Sequence, residues 1–289
     1  MTERSVSTRL PTFVGISTVL MWAFLALLTA ATGTVPPFQL AAMSFVVGAA
    51  IGLGAVLRHP RRFAVFRQPP LAWAVGVGGL FGYHALYFTA LRNAPPIEAG
   101  LIAYLWPLLI VLFSGLLPSE RLRAVHVAGA LLGLAGAALV MTGGGLEIKW
   151  QFWFGYAAAL CCAFTWSSYS VLSRLFRGVE TEYVAGLCLA AAVLSALCHL
   201  GFEETVWPRG AVQWLAVLGL GLFPLGLAFY TWDYGVKRGN IQIIGVASFA
   251  TPLLSTIVLI LFGDDPFTWS IGLACVLIVG GIVLATRGR

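Results

Sequence analysis

The chain has 289 residues, of which 60% are hydrophobic and 10% charged, and a formal net charge of +6. A soluble domain of this length carries about 25% charged residues, so this composition excludes a water-soluble globule. The positive excess falls at the ends of apolar stretches, which accounts for it without a nucleic acid.

Ten apolar stretches of about 20 residues follow one another, each long enough to cross a bilayer as a helix. The first is predicted over Pro11–Ala31. Arg4, Arg9 and the small residues Thr29, Ala30 and Ala31 resemble parts of a secretion signal, but the apolar run exceeds the about 7–15 residues of a signal core, so it is read as a membrane helix. Thr18, Trp22 and Thr29 share one of its stripes. Helix two is predicted over Pro36–Leu57, followed by a basic loop, Arg58 to Arg67, suited to anionic lipid. Helix three, Pro70–Leu91, carries Tyr83, His84 and Tyr87 within one turn, on a face shared with Leu80 and Leu91. A histidine facing lipid is costly, so His84 should point into the bundle, as a structural hydrogen-bonding group or as a cavity group.

Helix four is predicted over Pro96–Leu116 and carries Gly100, Tyr104, Trp106 and Pro107. On an ideal helix Tyr104 and Trp106 lie about 200° apart, so they share a cavity only if Pro107 distorts the turn. Glu98 is expected to cap the start of this helix. Helix five, Ala124–Thr142, has Gly129, Gly133 and Gly136; helix ten, Thr268–Thr286, has Gly272, Gly280 and Gly281. These small residues suit close helix contacts, and both helices are read as scaffold. Helix six, Phe152–Arg174, aligns Cys162, Thr165, Trp166, Tyr169 and Ser173 on one stripe. Helices seven and eight are predicted over Thr181–Gly201 and Ala211–Asp233, with Asp233 at the inner end of the latter. Helix nine, Asn240–Phe262, carries Gly245, Ser248, Thr251, Pro252 and Ser255.

The five cysteines (Cys161, Cys162, Cys188, Cys198 and Cys275) lie inside these helices without zinc or redox spacing and read as small apolar packers. No metalloprotease, serine-hydrolase or nucleotide-binding motif occurs, and Asp264 and Asp265 are confined to a short loop, so no enzyme, metal or cofactor is expected. No helix carries a carboxylate near its middle, and no Lys or Arg is central. The expected substrate is therefore neutral, zwitterionic, or apolar with polar ends. Trp73, Trp150, Trp153, Trp207, Trp214 and Trp269 have the depth of an interfacial belt, whereas Trp22, Trp106 and Trp166 lie nearer the middle. Trp22, Tyr83, His84, Tyr87, Tyr104, Trp106, Trp166, Tyr169 and Ser248 are taken as the candidate lining of one cavity, because rings with polar edges suit amphipathic solutes.

The two halves resemble each other. At an offset of 145, Pro107-Leu108-Leu109 falls on Pro252-Leu253-Leu254, Gly100 on Gly245, Glu120 on Asp265 and Gly136 on Gly281. Near the starts the offset is 140, pairing Gly15 with Gly155 and Ala23-Phe24 with Ala163-Phe164. Five helices is an odd number, so residues 147–289 are expected to repeat residues 1–146 upside down. An inverted repeat is a transporter architecture with its site between the halves. Each proline leaves the carbonyl at i−4 unbonded, which makes Pro107 and Pro252, with Gly100 and Gly245, candidate hinges. With both termini cytoplasmic, 14 of the 17 Lys and Arg residues fall on the cytoplasmic side; the exceptions are Arg92, Lys149 and Arg209.

The run Ala90-Leu91-Arg92-Asn93-Ala94, then Glu98-Ala99-Gly100-Leu101-Ile102, Tyr104-Leu105-Trp106-Pro107-Leu108 and Glu120-Arg121-Leu122 resembles the repeat of EamA-type transporters of the drug/metabolite transporter superfamily. The resemblance extends over both halves. Tyr83-His84, Tyr87 and the Tyr-Leu-Trp-Pro of helix four resemble the YddG-type aromatic amino-acid exporters. The resemblance implies a ten-helix basket with a central cavity in a bacterial inner membrane, and export of aromatic and other neutral or zwitterionic amino acids. A monomer in the lipid bilayer is expected. Small multidrug pumps of the superfamily use a Glu in helix one, and this helix one has none. Efflux of drugs or other amphiphiles, with proton coupling, stays open as the alternative. Without a mid-membrane carboxylate, facilitated diffusion by alternating access is expected, and His84 is the central titratable group.

Overall fold

The structure, a computed structural model, describes residues 8–118, 120–143, 145, 147–262 and 269–288. Arg4, Arg289, Asp264 and Asp265 lie outside the described residues. Among those described, regular structure is helical throughout. The long helices are α1 (Arg9–Ala31), α2 (Pro37–Arg58), α3 (Pro70–Asn93), α4 (Pro96–Ser114), α5 (Ala124–Thr142), α6 (Trp153–Leu172), α7 (Thr181–Phe202), α8 (Gly210–Arg238), α9 (Ile241–Phe262) and α10 (Trp269–Thr286). All except α6 are long and apolar enough to cross a membrane.

Helix α6 has the length, at 20 residues, so composition sets it apart. Its run Thr165-Trp166-Ser167-Ser168-Tyr169-Ser170 lowers its apolarity. The Ser167 and Ser170 hydroxyls donate to the carbonyls of Ala163 and Trp166 at 2.6 and 2.8 Å, so they are satisfied within their own helix. Helices α2, α3 and α4 each begin on the second of two prolines. There the missing N–H costs nothing, and the first proline is held extended, with ψ of 148°, 144° and 137°. Helix α5 stops at Gly143, whose φ of 60° suits a residue without Cβ.

The main helix contacts join residues before 147 to residues after it: α1 with α8, α2 with α7, α3 with α6, α4 with α9 and α5 with α10. Helix α4 also packs on α6, and α9 on α1. Small residues set these approaches. A Cβ on Gly281 would lie 2.5 Å from the Gly129 carbonyl oxygen, where α5 crosses α10. Gly272 and Gly280, expected to serve the same contact, have no neighbour within 4 Å of a built Cβ and face outward.

Two irregularities recur. Helices α3 and α8 each contain a π-helical stretch, Gly78–Gly82 and Phe223–Leu227, related by the same offset of 145. Helix α4 is interrupted at Tyr104 and Leu105, and α9 at Ser248 and Phe249.

Ion pairs tie both ends of the bundle. At the arginine-rich end, Arg174 is almost fully buried, donates to the carbonyls of Val236 and Gly239 at 2.7 and 2.9 Å, and pairs with Glu120. Arg177 reaches the same carboxylate at 3.3 Å. At the opposite end Glu203, also buried, accepts from the Phe38 and Gln39 amides opening α2, each at 3.1 Å, and pairs with Arg92 at 2.6 Å. Glu98 occupies the first turn of α4 as expected, but it makes no side-chain capping hydrogen bond and its Oε2 is buried without a partner. Asp233 does not end its helix either, because α8 continues to Arg238. Asp233 and Lys237, one turn apart, are both buried and pair at 2.8 Å, and Lys237 also donates to the Val179 carbonyl at 3.3 Å.

Candidate substrate site

Four helices bring the sequence-derived rings together. Helix α1 supplies Trp22, two residues before its break at Phe24; α3 supplies Tyr83, His84 and Tyr87 immediately after its π-helical stretch; α4 supplies Tyr104 and Trp106; α6 supplies Trp166 and Tyr169. Trp22 lies 5.9 Å from Trp106 and 5.8 Å from Trp166, ring centre to ring centre and edge-on. Tyr83 touches Trp166 and His84, each at 5.3 Å, and stacks on Tyr87 at 5.9 Å. Trp166 reaches Tyr169 at 5.3 Å.

Tyr104 and Trp106 lie 5.8 Å apart, which a continuous helix forbids. The two-residue interruption of α4, with ψ of 6° at Tyr104 and −14° at Leu105, changes the roughly 200° that an unbroken helix would set between them. Pro107 explains the break, because it cannot donate to the Ala103 carbonyl four residues earlier. The same logic acts in α9. Pro252 cannot donate to the Ser248 carbonyl, and the Tyr104 hydroxyl donates to that oxygen at 2.8 Å. Ser248 therefore presents its carbonyl; its hydroxyl turns back to Ile244 at 2.8 Å and does not join the ring cluster. Gly245 packs against the same region, a built Cβ lying 3.3 Å from the Pro107 carbonyl, whereas a Cβ on Gly100 would touch Met141 at 3.2 Å.

The cluster also holds three rings outside the sequence-derived set. Trp232 of α8 is fully buried, 5.1 Å from Trp22 and 5.6 Å from Trp106. Phe45 of α2 meets His84 at 5.1 Å and stacks on Phe229 of α8 at 5.7 Å. A charged neighbourhood hides Trp232 in the sequence, since Asp233, Tyr234, Lys237 and Arg238 read as a helix end. The signal available was the Asp233–Lys237 spacing of four, which pairs the charges and lets the helix continue.

Burial divides the cluster. Trp106, Trp166, Tyr169 and Trp232 are buried; Trp22, Tyr83, His84, Tyr87 and Tyr104 are half-buried. The first group forms a floor and the second a rim. Beyond the floor, toward the arginine-rich end, Asp233, Val236 and Lys237 of α8 are buried, as is every residue of Ile241–Ala247 in α9. Toward the opposite end no residue of Leu25–Ala31 in α1 is buried, and only Ala90 is buried within Tyr83–Asn93 of α3. Burial thus falls off from the arginine-rich end toward the other, which is the ground for reading the rings as a basin.

Few polar groups serve this basin. Trp22 Nε1 donates to the Pro224 carbonyl of the π-helical stretch at 3.1 Å, and Trp232 Nε1 to Ser170 Oγ at 3.1 Å. Trp166 Nε1 and the Tyr169 hydroxyl are buried without a partner, so the floor has two unused donors. His84 Nδ1 shares a 2.7 Å hydrogen bond with the Leu80 carbonyl of its own helix, and the rings around it are Phe45, Tyr83, Phe88 and Phe229. Such a lining offers ring faces, ring edges and a few hydrogen bonds, with no charged side chain in the ring cluster.

Comparison with known proteins places the chain in a family. A protein of Ancylobacter novellus, the "Aromatic amino acid exporter YddG", is 54% identical over 95% of this chain and 96% of its own. The protein of the same description in Salmonella typhimurium is 27% identical, covering 96% of this chain and 98% of its own. A solved crystal structure, 53% identical, superposes with a TM-score of 0.94 over 97% of this chain and 98% of that one. The EamA-like transporter family matches twice, over residues 10–142 and again over residues 153–287. With helices apolar enough to cross a membrane in both matched segments, the chain is a multi-pass membrane protein and belongs to the EamA-like transporter family.

Proposed function

We propose that this transporter exports aromatic and other neutral amino acids across a bacterial inner membrane, by facilitated diffusion through the aromatic basin. One observation carries the reading: eleven half-buried or buried rings converge without a charged side chain among them, which suits a zwitterion with a flat apolar side group. The description of the Ancylobacter novellus relative supports it. The chain is read as a monomer of ten membrane helices, with residues 147–289 an inverted copy of residues 1–146. The contacts fit that reading, since α1 meets α8 as α6 meets α3, and α4 meets α6 as α9 meets α1. Lys and Arg make the arginine-rich end cytoplasmic, so the basin opens to the outside, and alternating access would shut the rim and open the floor.

The test is uptake into liposomes holding the purified protein alone. Phenylalanine and tryptophan are expected to enter and exchange, threonine more slowly, and a quaternary amine not at all. Transport of the amine without the amino acids would replace this reading by amphiphile efflux.

The hinges give a separate expectation. Pro107→Ala and Pro252→Ala restore the hydrogen bonds withheld from Ala103 and Ser248, and so straighten α4 and α9. Transport per folded molecule should fall while yield from size-exclusion chromatography holds. Parallel loss of both would make the interruptions structural only.

His84 bears on coupling. Its Nδ1 is engaged by Leu80 within α3, and no carboxylate is among its ring partners. His84→Gln is expected to retain most of the exchange activity, and an imposed pH gradient should not drive accumulation in either protein. Accumulation that follows the gradient, and disappears in the variant, would make His84 a proton carrier.

A further inference from the structure

A large apolar groove lies away from the aromatic basin, on the outer surface of the bundle. It runs between the end of α2, the 3₁₀ turn Arg62–Phe66, the start of α3 and the middle of α7, with a volume of about 720 Å³. All ten of its lining residues are apolar, among them Leu53, Phe63, Phe66, Trp73, Leu189 and Val193. The one polar atom that Trp73 brings, Nε1, is spent on the Phe66 carbonyl at 3.3 Å. Trp73 also packs edge-on against Tyr183 at 4.7 Å. Inside a bilayer such a groove is filled by hydrocarbon, since a void would forfeit the dispersion contacts of every lining atom.

The groove's surroundings select the headgroup. The turn that contributes Phe63 and Phe66 opens on Arg62 and is flanked by Arg61 and Arg67, and Arg58 ends α2. All four are exposed. Arg61 is committed to Glu180 at 3.3 Å, whereas Arg58, Arg62 and Arg67 have no carboxylate partner among the described residues. Arg62 has a φ of 43°, the one positive value among described residues other than glycine. A side chain adopts that conformation only where its surroundings impose it, and here the turn is anchored by Val65, which is buried. The anchored turn therefore holds unpaired guanidinium groups beside an apolar slot.

We propose that this groove is a binding site for one anionic phospholipid, an acyl chain lying against Phe63, Phe66, Trp73, Leu189 and Val193 and the phosphate held by Arg58, Arg62 and Arg67. Guanidinium groups bind phosphate oxygens through directed pairs of N–H donors, and a net negative headgroup leaves no ammonium of its own to repel them. The site is independent of what the basin transports.

Native mass spectrometry of the full chain in detergent, with phosphatidylglycerol and phosphatidylcholine of the same acyl chains, tests the assignment. The wild type is expected to retain one phosphatidylglycerol with a preference of about tenfold or more over phosphatidylcholine. The triple variant Arg58→Gln, Arg62→Gln, Arg67→Gln should lose the preference while melting like the wild type in detergent without added lipid. Ala190→Trp, which fills the slot, should lose both lipids. Equal retention of both lipids by the wild type overturns the proposal, as does a preference that survives the arginine variant. Competition by free glycerol phosphate as effective as by the lipid, with Ala190→Trp unaffected, would overturn it in favour of a simple anion site.

Discussion

Lys237→Met is expected to cost about 3–5 kcal/mol of stability, because it strands the Asp233 carboxylate inside the bundle. Both side chains are nearly inaccessible, and the ammonium meets both carboxylate oxygens, at 2.8 and 3.0 Å. Removing one partner leaves a charge that neither water nor another cation reaches cheaply. The measurement is the melting temperature in detergent together with the monodisperse fraction on size-exclusion chromatography; both should drop sharply. Asp233→Asn combined with Lys237→Met removes both charges and should recover most of the loss. A single variant that melts like the wild type would show that the pair is dispensable.

The rim and floor of the basin should respond differently to truncation. Tyr83→Ala removes a half-buried ring that contacts Trp166, His84 and Tyr87, and it is expected to weaken apparent affinity for phenylalanine about 2- to 10-fold, the worth of one ring contact. Trp232→Ala empties a fully enclosed site among Trp22, Trp106 and Trp166, and should cost about 3–5 kcal/mol of stability before transport can be assayed. The checks are a concentration series of phenylalanine uptake for Tyr83→Ala and a melting curve for Trp232→Ala. Were Tyr83→Ala to leave uptake half-saturation unchanged, the rim would not touch the substrate.

The apolar helices were legible in the sequence because bilayer thickness and paired prolines leave little freedom in where they begin. Pro36-Pro37, Pro69-Pro70 and Pro95-Pro96 announce α2, α3 and α4 to within a residue. Pro107 announced that α4 is broken but not where, since the freed carbonyl lies four residues upstream and the chain chose Tyr104 and Leu105. Phe45 was illegible for another reason. It is one phenylalanine among 19, on a helix apolar on every side, and a hydrophobic pattern cannot say which apolar face meets the bundle. Enclosure of charge was illegible for the same reason. Asp233 and Arg174 read as helix-end residues along the chain, and only the packing around them shows that each is enclosed.

The π-helical stretches also fix phase. A π turn holds one residue more than an α turn, so every side chain beyond it is rotated by about 100° from where an uninterrupted helix would aim it. In α3 that rotation comes immediately before Tyr83, and in α8 immediately before Phe229 and Trp232. The aim of five rings, on opposite sides of one basin, is thus set by a single surplus residue in each helix. Migration of that surplus residue along either helix would turn its rings in steps of about 100°. Such indexing would move the walls of the basin while the ends of α3 and α8 stay where Arg92, on Glu203, and Lys237, on the Val179 carbonyl, hold them.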